Sequence, residues 1–373
     1  MGLLILGLVL FVFLVIVHEW GHYKAARRAG VVVEEFGLGF PPKIWGKKLK
    51  SKMLLSVNLL PLGGFVKLKG EHDSDTTPGS YGAASLRDKV KIMTAGVAMN
   101  LATAIGILTL LALIGMPKLV DNQFSVASDT KTIQQSILVA YVEPGSPAER
   151  AGIKSRDQLL AVGTSASDLE KLDSVSAFPT ITKSLAGEQV VVQTKTEGIV
   201  KNVDVQLRTQ TEVEVSKKTD DPKGYLGVVP TEYSIRSSTW SAPIVGVGTA
   251  VQFTKLTLQG IGTAIASAFQ GNGAKAAEQV SGPVGIFVVI KDGATLGYRF
   301  ILMIIAIISL TLAIMNILPI PALDGGRLFV TLLYRVRHKK LTKEVEERIH
   351  GTGFIALMGL FVLITVIDVR RFF

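Results

Sequence analysis

The 373-residue chain has no cysteine, which excludes disulfides and thiolate metal sites. Any transition-metal site must be built from histidine and carboxylate. Residues 2–17 lack any charged or strongly polar side chain. No positive n-region precedes that run and no small-x-small site closes it, so a retained membrane span is expected rather than a cleavable signal peptide. The later apolar runs are similarly clean, which argues against a metal transporter with a polar route through several spans. What the chain does have is apolar character: 48% of residues are hydrophobic and the mean hydropathy is +0.41. Length and composition indicate a membrane protein carrying a polar insert.

The formal net charge of +10 raises the question of nucleic acid. Its distribution answers it. From Lys24 to Lys91 there are 13 Lys/Arg against 6 Asp/Glu, and from Arg335 to His350 there are 6 against 3, whereas from Lys118 to Arg236 there are 14 against 16. The excess flanks apolar runs, as the positive-inside rule predicts, and no nucleic-acid partner is needed.

The first apolar run ends in His18-Glu19-Trp20-Gly21-His22. On a helix, His18 and His22 lie one turn apart on one face and can share a metal. Glu19 is offset by about 100°, placed to act on a water rather than to ligate. Three ionisable groups at membrane depth are costly unless a metal or a polar cavity satisfies them.

The helix stops at Gly30, after Arg27 and Arg28. Residues 31–70 alternate as strands and turns, with Pro61-Leu62-Gly63-Gly64 before Phe65-Val66-Lys67. They read either as a surface hairpin or as a hairpin dipping towards the site with an edge free for an extended peptide. A second span covers Ile92 to Met116 and contains Asn100, an amide suited to interhelical bonding. Residues 118–236 are polar, charge-balanced and strand-rich. Pro243 to Phe269 is apolar but interrupted by Gln252, Lys255 and Gln259; counting crossings makes it an amphipathic helix at the outer surface. A third span, Phe300 to Leu318, then ends inside, before Arg335, Arg337, Lys339 and Lys340. A fourth, Phe354 to Ile367, returns outward, although Arg370 and Arg371 at its end run against the charge rule.

Near the inner end of the third span stands Asn316-Ile317-Leu318-Pro319-Ile320-Pro321-Ala322-Leu323-Asp324-Gly325-Gly326. Its prolines break the helix and its glycines permit tight turns. Asp324 is thus a carboxylate in irregular backbone at the depth of the histidines, and a catalytic zinc wants a third protein ligand of this kind beside one open position.

With these motifs the chain resembles the site-2 protease family of intramembrane zinc metalloproteases, in the bacterial regulator of sigma-E protease form. Glu143 to Gly152 and Gly224 to Val228 resemble the helix-leading turn and the carboxylate loop (Tyr225, Leu226, Gly227, Val228) of a circularly permuted PDZ domain. The chain departs from the family in having one PDZ insert where the best-known members have two, and Val97 where proline is usual. The resemblance implies a multi-pass α-helical membrane protein with four transmembrane helices, a membrane-associated β-hairpin segment and an inserted β-rich PDZ domain. The expected divisions are an N-terminal membrane half at 1–117, an extracytoplasmic PDZ domain at 118–236, amphipathic extracytoplasmic helices at 237–299 and a C-terminal membrane half at 300–373.

The implied activity is zinc endopeptidase cleavage of transmembrane segments in regulated intramembrane proteolysis, on anti-sigma factors or signal-peptide remnants. Zn2+ would be held by His18, His22 and Asp324, with Glu19 as the catalytic base. Substrate would be held by Asn316, Pro319, Pro321, Asn100, Gly63, Gly64 and Phe65. The expected partners are single-pass membrane proteins, the lipid bilayer and a C-terminal peptide on the PDZ loop. The expected location is a bacterial inner or plasma membrane, with the active site near the cytoplasmic face. The rival reading is a non-catalytic PDZ scaffold with a structural metal, which would want a fourth protein ligand; His72, His338 and His350 lie in polar segments away from the motifs.

Overall fold

The computed structural model describes residues 2–196, 198–278 and 280–373. The chain divides into two compact units: Met1–Leu113 with Phe124–Val126 and Trp240–Phe373, and Ile114–Gln123 with Ala127–Thr239.

The first unit begins with helix α1 (Gly2–Arg28), strands β1 (Val33–Lys48) and β2 (Leu54–Leu68), and helix α2 (Leu86–Ile114). The uninterrupted apolar run makes α1 helical over its whole length. Arg27 and Arg28 suit the negative end of its dipole, and Gly30 ends it in the left-handed region at φ +75°. The Ser85 hydroxyl accepts the Asp88 N–H at 3.2 Å and caps α2. Val33–Leu38 of β1 runs antiparallel to Gly64–Leu68 of β2, and Lys43–Lys48 to Leu54–Asn58. Glu35–Leu38 also pairs with Leu54–Val57, so each long strand is folded over on itself. The bends fall at Gly39 and Gly63, both with positive φ. The base of this ribbon packs Val33, Phe36 and Leu68 against Ala26 of α1 and Ile92 of α2.

The second unit holds β3 (Met116–Pro117), β4 (Lys131–Val142), α3 (Pro147–Arg150), β5 (Gln158–Ser165), β6 (Asp168–Lys171), α4 (Ala177–Ser184), β7 (Gln189–Thr196), β8 (Ile199–Gln206), α5 (Gln210–Ser216) and β9 (Val228–Ser237). Its seven-stranded sheet runs β3-β9-β4-β5-β7-β8, with β6 on β5. Inward residues such as Val139, Val162, Phe178, Ile181 and Val192 form its core. A capping box at Thr209 and Glu212 starts α5. The two ends of the unit are tied together: Thr239 donates its N–H to Asp129 at 2.8 Å, and the hydroxyls of Thr130 and Ser238 lie 2.8 Å apart.

The first unit resumes with α6 (Ala242–Phe269), α7 (Gly273–Glu278), α8 (Pro283–Thr295), α9 (Tyr298–Ile317), α10 (Asp324–Val336) and α11 (Lys343–Phe372). Among the described residues, four helices are long and apolar enough to cross a membrane: α1, α2, α9 and α11. With the β-rich second unit they make this a membrane protein carrying a β-rich region. Helix α6 is not among the four; its first half packs Gly246 against Thr109 of α2. Leu14, Ile290, Ile301 and Ile305 join α1, α8 and α9.

The start of α8 has no side-chain cap of its own. Instead the buried Asp368 of α11 accepts the N–H groups of Gly282 and Gly285 at 2.9 and 2.7 Å. A carboxylate there satisfies two orphan donors and meets the positive end of the dipole. Replacing Asp368 with Ala should cost about 1–2 kcal/mol, the range of a lost cap, and lower the melting temperature in detergent. Asp368→Asn, which keeps an acceptor, should lose less. An unchanged melt for Asp368→Ala would refute the capping role.

Candidate metal centre

His18 and His22 stand one turn apart on α1, both buried, with their Nε2 atoms 3.2 Å apart. Asp324, the first residue of α10, brings Oδ2 to 3.2 Å from His18 Nε2 and 3.1 Å from His22 Nε2. The three atoms form a triangle of nearly equal edges. A tetrahedral ion with bonds of about 2.0–2.1 Å has ligand–ligand edges of about 3.3 Å, so the triangle is the right size for zinc.

The proton positions make the same case. His22 Nδ1 donates to the Ile92 carbonyl at 2.7 Å, leaving Nε2 a bare lone pair. Asp324 Oδ2 is buried and, among the described residues, has no hydrogen-bond donor. The Asn100 amide meets His18 Nδ1 at 3.2 Å. Turned so that Oδ1 accepts the Nδ1–H, it satisfies an Oδ1 that has no other partner among the described residues and exposes the His18 Nε2 lone pair as well. Three acceptors then face one point, an arrangement that calls for a cation.

Close packing shapes the cradle. A Cβ at Gly96 of α2 would fall on the imidazoles of His18 and His22, and one at Gly21 would meet the Ala95 backbone at less than 3 Å. Only glycines let α1 and α2 approach this closely. On the third side, Gly325 and Gly326 press against the carbonyls of Ile317 and Ile320, so the first turn of α10 sits on the loop that leads to it.

Glu19 contributes no atom to the triangle. It lies in the field of His18, His22 and Asp324. Gly64 lies against its side chain, since a Cβ there would meet Glu19 Cγ and Val15 Cγ1 at 3.1 Å. The last segment of β2 therefore runs beside Glu19. Beyond it, Glu71 accepts the Leu68 N–H at 2.9 Å and meets Arg327 of α10 at 3.3 Å, tying strand to ligand helix.

The sequence-derived residues thus fall into groups. His18, His22 and Asp324 converge, with Glu19 and Asn100 around them. Gly64 lies at Glu19; Gly63 is a bend at φ +104°, and the ring of Phe65 covers Gly37. Pro321 packs on Gly353 of α11. Asn316 lies in the last turn of α9, half-buried, and among the described residues no hydrogen bond joins it or Pro319 to the triangle. Tyr225, Leu226, Gly227 and Val228 belong to the second unit. There the carbonyls of the first three accept the N–H groups of Arg208, Ala148 and Glu143 at 3.0, 3.0 and 2.9 Å. The Arg208 guanidinium donates twice to Glu143 at 2.7 Å and holds that carboxyl below its ordinary range. The sequence did not mark Gly96, the Ile92 carbonyl or the contact of Asn100 with His18. A glycine facing the first motif from the next span was the one available signal.

The profile of peptidase family M50 matches residues 6–360. A Clostridium perfringens chain provisionally named a zinc metalloprotease is 30% identical over 367 residues, covering 98% of both chains. The probable protease eep of Enterococcus faecalis is 26% identical over 442 residues, covering 100% of both. Zinc metalloprotease RasP of Oceanobacillus iheyensis is 23% identical over 448 residues, covering 98% of both.

Gly96→Ala tests the cradle. Alanine should favour the helix by about 0.5–1 kcal/mol, yet its methyl group lands on both imidazoles. The variant should fold with wild-type helicity and lose zinc affinity by about tenfold or more. Wild-type affinity would show that α2 does not shape the site.

Proposed function

The chain belongs to peptidase family M50, and from that premise we propose that it is an intramembrane zinc endopeptidase that cuts the membrane-spanning segments of single-pass proteins. The observation that carries this reading is the triangle of buried acceptors at 3.1–3.2 Å. The donor set of two imidazoles and one carboxylate leaves a fourth position open, as catalytic zinc requires. A structural metal would want a fourth protein ligand, and among the described residues the cluster has three. That weighs against the scaffold reading.

Zinc held by His18, His22 and Asp324 would acidify a water towards pKa about 7 and polarise the scissile carbonyl. Glu19 takes the proton of the attacking water and passes it to the leaving amine. Ile92 and Asn100 fix the imidazoles in the tautomers that aim Nε2 inward. A helical peptide bond buries its carbonyl, so the substrate must unwind. Past the bend at Gly63, Gly64 and Phe65 offer strand backbone beside Glu19 against which the unwound stretch can lie. In this proposal Asn316, Pro319 and Pro321 also hold the stretch.

In this reading the protein sits in a bacterial inner or plasma membrane, with the basic segments after α1 and α10 at the cytoplasmic face and the inserted unit outside. Anti-sigma factors and signal-peptide remnants are the substrate classes proposed. The inserted unit, read as a PDZ domain, supplies no catalytic residue and governs which substrates reach the site.

Two experiments test this. In liposomes, Glu19→Gln should keep one zinc per chain and lose about 10²–10⁴-fold in cleavage of a model transmembrane substrate. Loss of zinc would make Glu19 a ligand, and full activity would remove it from the chemistry. Separately, joining residue 130 to 238 excises the insert at its tied neck. Cleavage of a short substrate should persist and that of a substrate with a large outer domain should rise. A folded, zinc-loaded deletion unable to cut the short substrate would refute the gating role.

A further inference from the structure

The loop that delivers Asp324 contains a residue in a conformation that its side chain disfavours. Ala322 has φ +78°, in the left-handed region that residues with a Cβ avoid. Such a conformation persists only where the surroundings over-determine it. Two contacts from α11 do so. The Ala322 N–H donates to Nδ1 of His350 at 3.1 Å. Pro321 seats in a notch at Gly353, where a Cβ would strike its ring and carbonyl. His350 and Gly353 are three residues apart and so share a helix face. Two residues past Ala322 the chain reaches Asp324.

We propose that His350 is a positioning residue: by accepting the Ala322 N–H, it locks the 318–323 loop in the one conformation that aims Asp324 Oδ2 at the histidine pair. The role rests on the reading of Asp324 as a zinc ligand. As the acceptor at Nδ1, the ring is neutral and carries its proton on Nε2. That Nε2 is buried and has no hydrogen-bond partner among the described residues, so the bond to Ala322 is the one the imidazole serves. The arrangement also makes α11 part of the metal site. This helix is otherwise fastened near its ends, by Glu346 accepting the Asp73 N–H at 2.9 Å and by Asp368 at the start of α8. A displacement of α11 would withdraw the acceptor from Ala322 and free the carboxylate two residues on.

The full-length protein, stripped of metal in detergent, is titrated with zinc against a chromogenic chelator. Hydrogen exchange of residues 318–324 is followed in the same metal-free samples. His350→Ala should weaken zinc binding by about tenfold or more, the usual effect of removing an outer-sphere partner, and speed exchange in the loop. His350→Asn, whose Oδ1 can accept the same N–H, should stay within about threefold of wild type. Ala322→Gly relieves the backbone strain, so the penalty of His350→Ala should shrink in that background. If His350→Ala does not fold, His350→Leu replaces it under the same criteria, keeping volume and losing the acceptor. Wild-type affinity and exchange in the Ala variant, an Asn variant no better than Ala, or a penalty undiminished beside Ala322→Gly would each overturn the proposal. If wild-type protein binds no zinc, the reading of the metal site fails, and the exchange data alone decide whether His350 holds the loop.

Discussion

Three lone pairs aimed at one buried point dominate the first unit. Two imidazole Nε2 atoms and a carboxylate oxygen within 3.1–3.2 Å of one another repel unless a cation joins them. The surrounding structure reads as the means of enforcing that approach. Gly21 and Gly96 bring two helices close enough for α2 to offer its Ile92 carbonyl and Asn100 amide to the rings. Backbone hydrogen bonds of a membrane helix are satisfied within the helix, so residues that orient ligands must come from a neighbour. The α1–α2 contact meets that need for both histidines.

The carboxylate needs a different device. The carboxylate stands at the N-terminus of a new helix. The chain therefore leaves the helix at Ile317, turns through 318–323 and starts again at Asp324. Irregular backbone at such depth is tolerated where it is covered by protein. Here α10 covers it through Gly325 and Gly326, and α11 through Gly353 and His350. The ribbon of β1 and β2 supplies the remaining wall, with Gly64 flush against Glu19 and Glu71 tied to Arg327.

Much of this was legible in the sequence. The i, i+4 spacing of His18 and His22 is a local helical property, and the absence of cysteine left histidine and carboxylate as the ligand types. Asp324 was recognisable because proline and glycine crowd around it, a composition that cannot continue a helix. The four long apolar helices followed from length and polarity alone. What was not legible depends on contacts distant in sequence. Asn100 reads as generic interhelical bonding until His18 is seen 82 positions away. Asp368 is an isolated acid in an apolar run until it meets the N–H groups of Gly282 and Gly285. His350 lies in a polar stretch, and its partner is a backbone N–H, which carries no side-chain signature. The folding-over of β1 and β2 depends on single glycines at 39 and 63 whose φ cannot be read from residue type.

The central claim is that His18, His22 and Asp324 hold one zinc with a fourth position open. X-ray absorption at the zinc edge of the purified, membrane-reconstituted protein measures this coordination shell directly. The account predicts a four-coordinate ion with two imidazole nitrogens, one carboxylate oxygen and one further light atom, all at about 2.0–2.2 Å. A shell closed by four protein ligands, or one that keeps two imidazoles after His18→Ala, would contradict it.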